Sequence, residues 1–153
     1  MTHGNEAQAR YVLGDWGTSR LRLWLIERGD IAATCEGPGI GALTMSPSDT
    51  LAALVAPWLT SSQPLQVVLS GMAGSRTGLL ETEYAPAPAD FDRWSHAAGK
   101  TRVEEMHVAV AAGLRDESHH DAPDVMRGEE TQIFGAMQLE PTLREGSQLF
   151  VLP

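Results

Sequence analysis

The chain has a single cysteine, Cys35, among its 153 residues. That excludes an internal disulfide framework and a cysteine-based zinc site, and fits a small core residue of a reduced protein. Basic residues are scarce: 11 Lys and Arg stand against 20 Asp and Glu, for a net charge of −9. A nucleic-acid footprint would be basic and clustered, so no nucleic-acid partner is expected. A few local arginines could still serve an anionic ligand, because local charge can override the global field. No apolar run reaches the ~18 residues of a membrane span, so no membrane partner is expected either. Residues 1–10 are polar and have no signal-peptide core; the expectation is a cytoplasmic protein whose residues 1–9 are flexible. No internal repeat or low-complexity tract is visible. A hydrophobic share of 42% over this length is that of one globular domain.

What is present centres on Asp15-Trp16-Gly17-Thr18-Ser19-Arg20-Leu21-Arg22. The apolar run Tyr11-Val12-Leu13 leads into it, and residues 21–26 form a second strand-like run. The pattern predicts a tight hairpin with a carboxylate at its tip. Gly17 permits close backbone approach, and Thr18 and Ser19 add hydroxyl donors beside N–H groups able to form an anion nest. Asp15 is placed to hold Mg²⁺ through oxygen or water, since that ion prefers one or two carboxylates plus phosphate oxygens. An ordinary turn accounts for the same residues, because Asp, Gly, Thr and Ser are all turn formers.

Residues 11–14, 21–27 and 31–35 read as a three-stranded antiparallel meander. The glycine-rich 37–41 that follows is a connector or a substrate-facing loop. Ser46-Pro47-Ser48-Asp49 is a capping box with proline in the first turn. Leu51, Leu54, Val55, Trp58 and Leu59 continue it as a helical stripe, with Pro57 set to end or kink the helix. Residues 65–69 read as a buried parallel strand running into the small-residue loop 70–76, the kind of place where α/β sheets keep ligands. That loop is not a Walker sequence. Residues 84–99 show little periodicity, with Phe91 and Trp94 as anchors; 106–112 and 147–152 read as strands. His119 and His120 are adjacent and would point apart on an extended chain, so a solvated loop is favoured over a metal site.

Arg127-Gly128-Glu129-Glu130-Thr131-Gln132-Ile133-Phe134 is the second informative stretch. Helical spacing sets Ile133 and Met137 on the Glu129 side and Phe134 on the Glu130 side. Acids that begin an apolar stripe need a partner: an arginine, a metal or the helix N-terminus itself. Simple helix-dipole complementation and a catalytic role fit equally well.

Asp15-x-Gly17-Thr18-Ser19-x-x-Arg22 resembles the first phosphate motif of actin-like ATPases and sugar kinases. Together with Ser70-Gly71-Met72-x-Gly74-Ser75 and Met126-Arg127-Gly128-Glu129-Glu130-Thr131-Gln132, it resembles the 2-dehydro-3-deoxygalactonokinase family. The resemblance implies an α/β, actin-like (ribonuclease-H-like) domain. Its mixed five-stranded sheet would have the order 3-2-1-4-5, with helices on both faces. It also implies ATP and Mg²⁺ as cofactors, and transfer of phosphate to the 6-hydroxyl of 2-dehydro-3-deoxy-D-galactonate. On that reading Asp15 holds Mg²⁺ through water, and Gly17, Thr18 and Ser19 cradle the phosphates. Glu129 and Glu130 are the catalytic candidates, and Arg22, Arg127 and Gly74 face the substrate. Family members are about twice this length and carry a second lobe with the adenosine site. Residues 10–153 are therefore expected to be an N-terminal lobe, with negligible kinase activity by itself and the C-terminal lobe, or another copy of the chain, as partner. A phosphatase of the exopolyphosphatase type and a non-catalytic partner-binding lobe are the alternatives.

Overall fold

The computed structural model describes residues 10–60, 63–118 and 122–151. In chain order its elements are β1 (Arg10–Trp16), β2 (Arg20–Glu27), β3 (Asp30–Pro38), α1 (Pro47–Val55), β4 (Leu65–Gly71), β5 (Tyr84–Pro86) and α2 (Phe91–His96). They continue with β6 (Gly99–Val103), β7 (Met106–Val110), β8 (Gly113–Asp116), β9 (Asp124–Met126) and α3 (Glu129–Leu139).

The meander forms as its alternation requires. Leu21, Leu23 and Leu25 of β2 turn to one face and are buried, while Arg20 and Arg22 turn to the other. Its second turn places Arg28 at φ 56° and Gly29 at φ 87°, the pair of positive angles that matches strand twist in a two-residue hairpin. β4 runs parallel to β1 and β7 parallel to β4; β6 folds back antiparallel on β7. The main sheet thus has the order β3-β2-β1-β4-β7-β6, and β5-β8-β9 make a second, three-stranded sheet.

Three expectations change here. The sheet has six strands rather than five, because the hairpin return β6 adds an edge beyond β7. Residues 147–151 are not a strand: no ladder partner meets them, and Leu149 and Val151 stand 90% and 88% exposed. The strand read over 106–112 ends at Val110, and β8 begins at Gly113 in a different sheet.

α1 begins as its capping sequence dictates: the Ser46 hydroxyl oxygen accepts the Asp49 N–H at 3.1 Å, and Pro47 opens the first turn. Pro57 ends it in a 3-10 turn over Ala56–Trp58. Leu51 and Val55 pack with Val12, Trp16, Leu23, Val67, Leu69 and Val108 into the main core. Cys35 is a free, half-buried thiol at its margin.

The opposite face of the sheet is only partly covered, which corrects the picture of β4 as buried on both sides. Leu65, Val67 and Leu69 are buried, but Val68 is 45% exposed and faces a groove shared with α2 and α3. α2 is capped by the Asp90 carboxylate, which accepts the Arg93 N–H at 2.8 Å. Trp94 anchors it: its indole stacks on Phe134 of α3 at 4.9 Å, and its Nε1–H donates to the Ala112 carbonyl at 2.8 Å. Phe91 completes the aromatic cluster. Helices therefore lie on both faces, α1 on one and α2 with α3 on the other. Among the described residues no helix is long and apolar enough to cross a membrane.

Candidate functional site

The hairpin tip is held from below. The Gly17 N–H donates to the Arg20 carbonyl at 2.9 Å and closes the turn around Thr18 and Ser19. The Gly17 and Thr18 carbonyls accept the N–H groups of Ile40 and Gly41 at 3.0 and 2.9 Å, and the Trp16 indole N–H donates to the Pro38 carbonyl. A Cβ at Gly39 would fall 2.3 Å from the Thr18 carbonyl oxygen, so only glycine lets the connector lie this close. The 37–41 stretch is thus a brace for the tip, the connector role, rather than a free loop.

Asp15 ends β1 with Arg22 of β2 on one side and Ser70 of β4 on the other. Its Oδ2 lies 3.6 Å from Arg22 Nη1, and both side chains are about half exposed. An ion pair of that length and exposure leaves most of the carboxylate's acceptor capacity for a ligand. Arg22 therefore belongs to the hairpin and its acid.

β4 then turns sharply at Gly71, φ 80°, where a Cβ would sit 2.8 Å from the Trp16 carbonyl oxygen and 3.5 Å from Asp15 Oδ1. Gly128, φ 120°, caps α3, and its Cβ position lies 3.3 Å from Gly71 Cα. Two glycines in a backbone region closed to other residues thus let the start of α3 abut the end of β4, beside the end of β1 that carries Asp15. The result is a cavity of about 380 Å³ lined by Asp15, Ser70, Gly128, Thr131 and Gln132, with Leu13 and Trp24 at its apolar side. Thr131 Oγ1 is buried there without a hydrogen-bond partner.

The two glutamates part company. Glu130 is fully buried, and both its oxygens accept the Gly128 N–H, at 2.9 and 2.8 Å. Burial pushes its carboxyl above the ordinary value; the hydrogen bonds from its own and the Gly128 N–H oppose this, Glu129 adds to it, and Arg127 opposes it. Glu129 is exposed, and its Oε2 accepts the Arg127 N–H at 3.1 Å. Both carboxylates thus satisfy donors at the N-terminal end of their own helix. Neither lines the Asp15 cavity.

Arg127 and Gly74 meet on the other side of the Arg127–Gly128 peptide. The guanidinium donates from Nη1 to Thr82 Oγ1 at 2.6 Å and from Nη2 to the Thr82 carbonyl at 2.9 Å, and lies 4.3 Å above the Tyr84 ring. A Cβ at Gly74 would stand 2.4 Å from Nη1, so this glycine makes room for the guanidinium. They line a cavity of about 730 Å³, with Arg76, Arg115 and Tyr84. Thr82, Tyr84 and Arg115 give no signal in the sequence, since they lie in aperiodic stretches that long-range pairing alone brings together; Arg76 is the last residue of the 70–76 loop. His119 and His120 fall outside the described residues. Among the described residues no group of three His, Cys, Asp or Glu side chains converges as a metal cluster.

Residues 15–153 match the family model described as 2-keto-3-deoxy-galactonokinase. The chain is 36% identical over 148 residues to the 2-dehydro-3-deoxygalactonokinase of Escherichia coli (strain K12), a match covering 95% of this chain and 47% of that protein. It is 37% identical over 152 residues to DgoK1 of Rhizobium meliloti (strain 1021), provisionally named for the same activity, covering 94% of this chain and 46% of that one. A crystal structure of a Sinorhizobium meliloti protein, provisionally named a 2-dehydro-3-deoxygalactonokinase, superposes with a TM-score of 0.74 at 32% identity. That match covers 84% of this chain and 42% of the other. The chain thus spans about half the length of the curated relatives it matches.

Proposed function

The chain belongs to the 2-keto-3-deoxy-galactonokinase family, and we propose that residues 10–153 form one lobe, of actin-like kind, of a kinase acting on 2-dehydro-3-deoxy-D-galactonate. The γ-phosphoryl group of ATP passes to the 6-hydroxyl oxygen as its bond to the β-phosphate breaks, so that ADP leaves and the hydroxyl's proton is given up. One observation carries this reading: Asp15 at the hairpin tip and the first turn of α3 line a single cavity.

The residues present fit Mg²⁺ bound through water. Asp15 offers a half-exposed carboxylate whose one ion pair is long, and Mg²⁺ asks for few carboxylates and several waters. When bound, the ion supplies charge neutralisation for the phosphates. The hydroxyl and N–H groups of Thr18 and Ser19 orient the phosphate chain, with Gly17, whose N–H closes the turn, allowing close approach, on a turn held by the 37–41 brace. The N-terminus of α3 adds a favourable dipole for anionic groups. Arg22 offsets phosphate charge. Glu129, exposed at the same helix end, would orient water in the ion's shell or accept the substrate proton. Glu130, buried against Gly128, fixes the turn that sets Glu129 and Thr131 in place. Arg127 and Gly74 build the wall on which the substrate lies.

Phosphoryl transfer rests on positioning and on charge neutralisation around the whole phosphate chain. This lobe by itself is therefore proposed to turn over negligibly. The test is a chimera in which residues 15–153 replace the matching half of the Escherichia coli relative. It should form the sugar-acid 6-phosphate, and Asp15→Asn should lower kcat by about 10²–10⁴-fold, the scale of removing a preorganised electrostatic group. A folded chimera without kinase turnover, or one that releases phosphate from polyphosphate instead, overturns the reading.

A further inference from the structure

The 730 Å³ cavity behind Arg127 carries more than the kinase reading uses. Its volume is in the usual range for a small-molecule site. Three arginines line it, Arg76, Arg115 and Arg127, against two glutamates, Glu81 and Glu83. With Glu117 paired to Arg115 the charges balance, so the cavity is marked by its three guanidinium groups rather than by a net charge.

The three cations are not equivalent. The Arg127 guanidinium is committed to Thr82 and Tyr84, and it forms the floor. Arg115 is exposed and shares its Nε with Glu117 at 3.0 Å. Arg76 is exposed, and among the described residues it enters no ion pair. It follows the Met72–Gly74 turn, whose Gly74 lines the same cavity. Arg127 lines this cavity and its chain neighbour Gly128 lines the Asp15 cavity. A straight-chain sugar acid carries its carboxylate and its terminal hydroxyl at opposite ends, so one molecule can place one end in each.

We propose that this cavity is the acid subsite, in which Arg76, assisted by Arg115, binds the carboxylate of the substrate while Arg127 positions the floor beneath it. The assignment rests on the kinase reading above and extends it to the residues that select an acid over a neutral sugar. A planar guanidinium suits a carboxylate because two parallel N–H groups can meet its two oxygens.

The chimera of residues 15–153 with the remaining half of the Escherichia coli relative is titrated by calorimetry with 2-dehydro-3-deoxy-D-galactonate, with its methyl ester, and with MgATP, for the wild-type sequence, Arg76→Ala, Arg76→Lys and Arg115→Ala. Circular dichroism melts establish that each variant folds; Arg76 is exposed and enters no ion pair, so its melt should match the wild type. The acid should bind at least tenfold more tightly than the ester. Each alanine variant should weaken the acid at least tenfold, Arg76→Lys less so, and none should change MgATP binding. Equal binding of acid and ester, or acid binding unchanged in both alanine variants, overturns the subsite and leaves the kinase reading in place. Displacement of the acid by inorganic phosphate would make the cavity a phosphate site and overturns it as well. If neither the acid nor MgATP binds, both readings fail together.

Discussion

Glu130 is the sharpest test of how the start of α3 is built. Its side chain is fully buried and accepts the Gly128 N–H through both oxygens. Glu130→Ala deletes a methylene, worth about 0.8 kcal/mol of burial, and leaves the half-buried Gly128 N–H without its acceptor, at about 1–3 kcal/mol. The cavity left behind adds to both, so the loss should come to about 2–4 kcal/mol. For a domain of this size that is a fall in Tm of about 5–15 °C, read by circular dichroism. Glu130→Gln keeps the volume and one acceptor oxygen and should stay within about 1 kcal/mol of wild type. The pH dependence separates the two. Burial holds the native carboxyl above its ordinary value, so the folded state keeps this proton to a higher pH than the unfolded chain does. The group's contribution is therefore greatest below the unfolded value and is lost as pH rises through the native one. The Tm of Glu130→Gln minus that of wild type should increase from about pH 4 to about pH 7. A difference that is flat or falls with pH, or a Glu130→Ala melt within about 2 °C of wild type, refutes the buried-cap reasoning.

Asp15→Asn should leave stability within about 1 kcal/mol in urea denaturation, because the half-exposed contact to Arg22 is worth little; a large loss would make the acid structural. Gly39→Ala should lower Tm and weaken MgATP binding together, since its Cβ would fall 2.3 Å from the Thr18 carbonyl oxygen; an unchanged melt would remove the brace from the account. Trp94→Ala forfeits the 4.9 Å stack on Phe134 and the bond to the Ala112 carbonyl. It should cost about 3–5 kcal/mol by denaturant titration, and a loss below about 1 kcal/mol would show that α2 does not depend on it.

The parts of the fold that are legible in the sequence are the locally determined ones. The Ser46 cap, the proline at each end of α1 and the alternation of β2 act over a few residues, and each appears where its pattern puts it. β4 is legible as a strand but not in its burial, because no pattern within Leu-Gln-Val-Val-Leu states that helices cover only part of one face. β5 and β9 are three residues long, too short for any period, and exist only through pairing with β8. The expected strand over 147–152 has the composition of one, but its described residues, 147–151, meet no ladder partner. In the site, the glycines and acids of the two motifs are visible because each departs from ordinary helix or strand chemistry. Their contact at Gly71 and Gly128 is not visible, nor is the Thr82–Tyr84 clamp on Arg127, since both depend on residues more than 40 apart in sequence. The split between Glu129 and Glu130 also needs the packed helix: sequence spacing assigns both to one stripe, and only Phe134's burial decides which acid goes inside.

The central claim is that the Asp15 hairpin and the head of α3 serve one metal–phosphate site. Paramagnetic broadening by Mn²⁺ in place of Mg²⁺, with ATP present and the chain labelled with ¹⁵N, tests it directly. The amides of residues 16–19, 70–71 and 128–131 should broaden together, and all should recover in Asp15→Asn. Broadening of the hairpin without the helix, or of both clusters unchanged in that variant, would contradict a shared site.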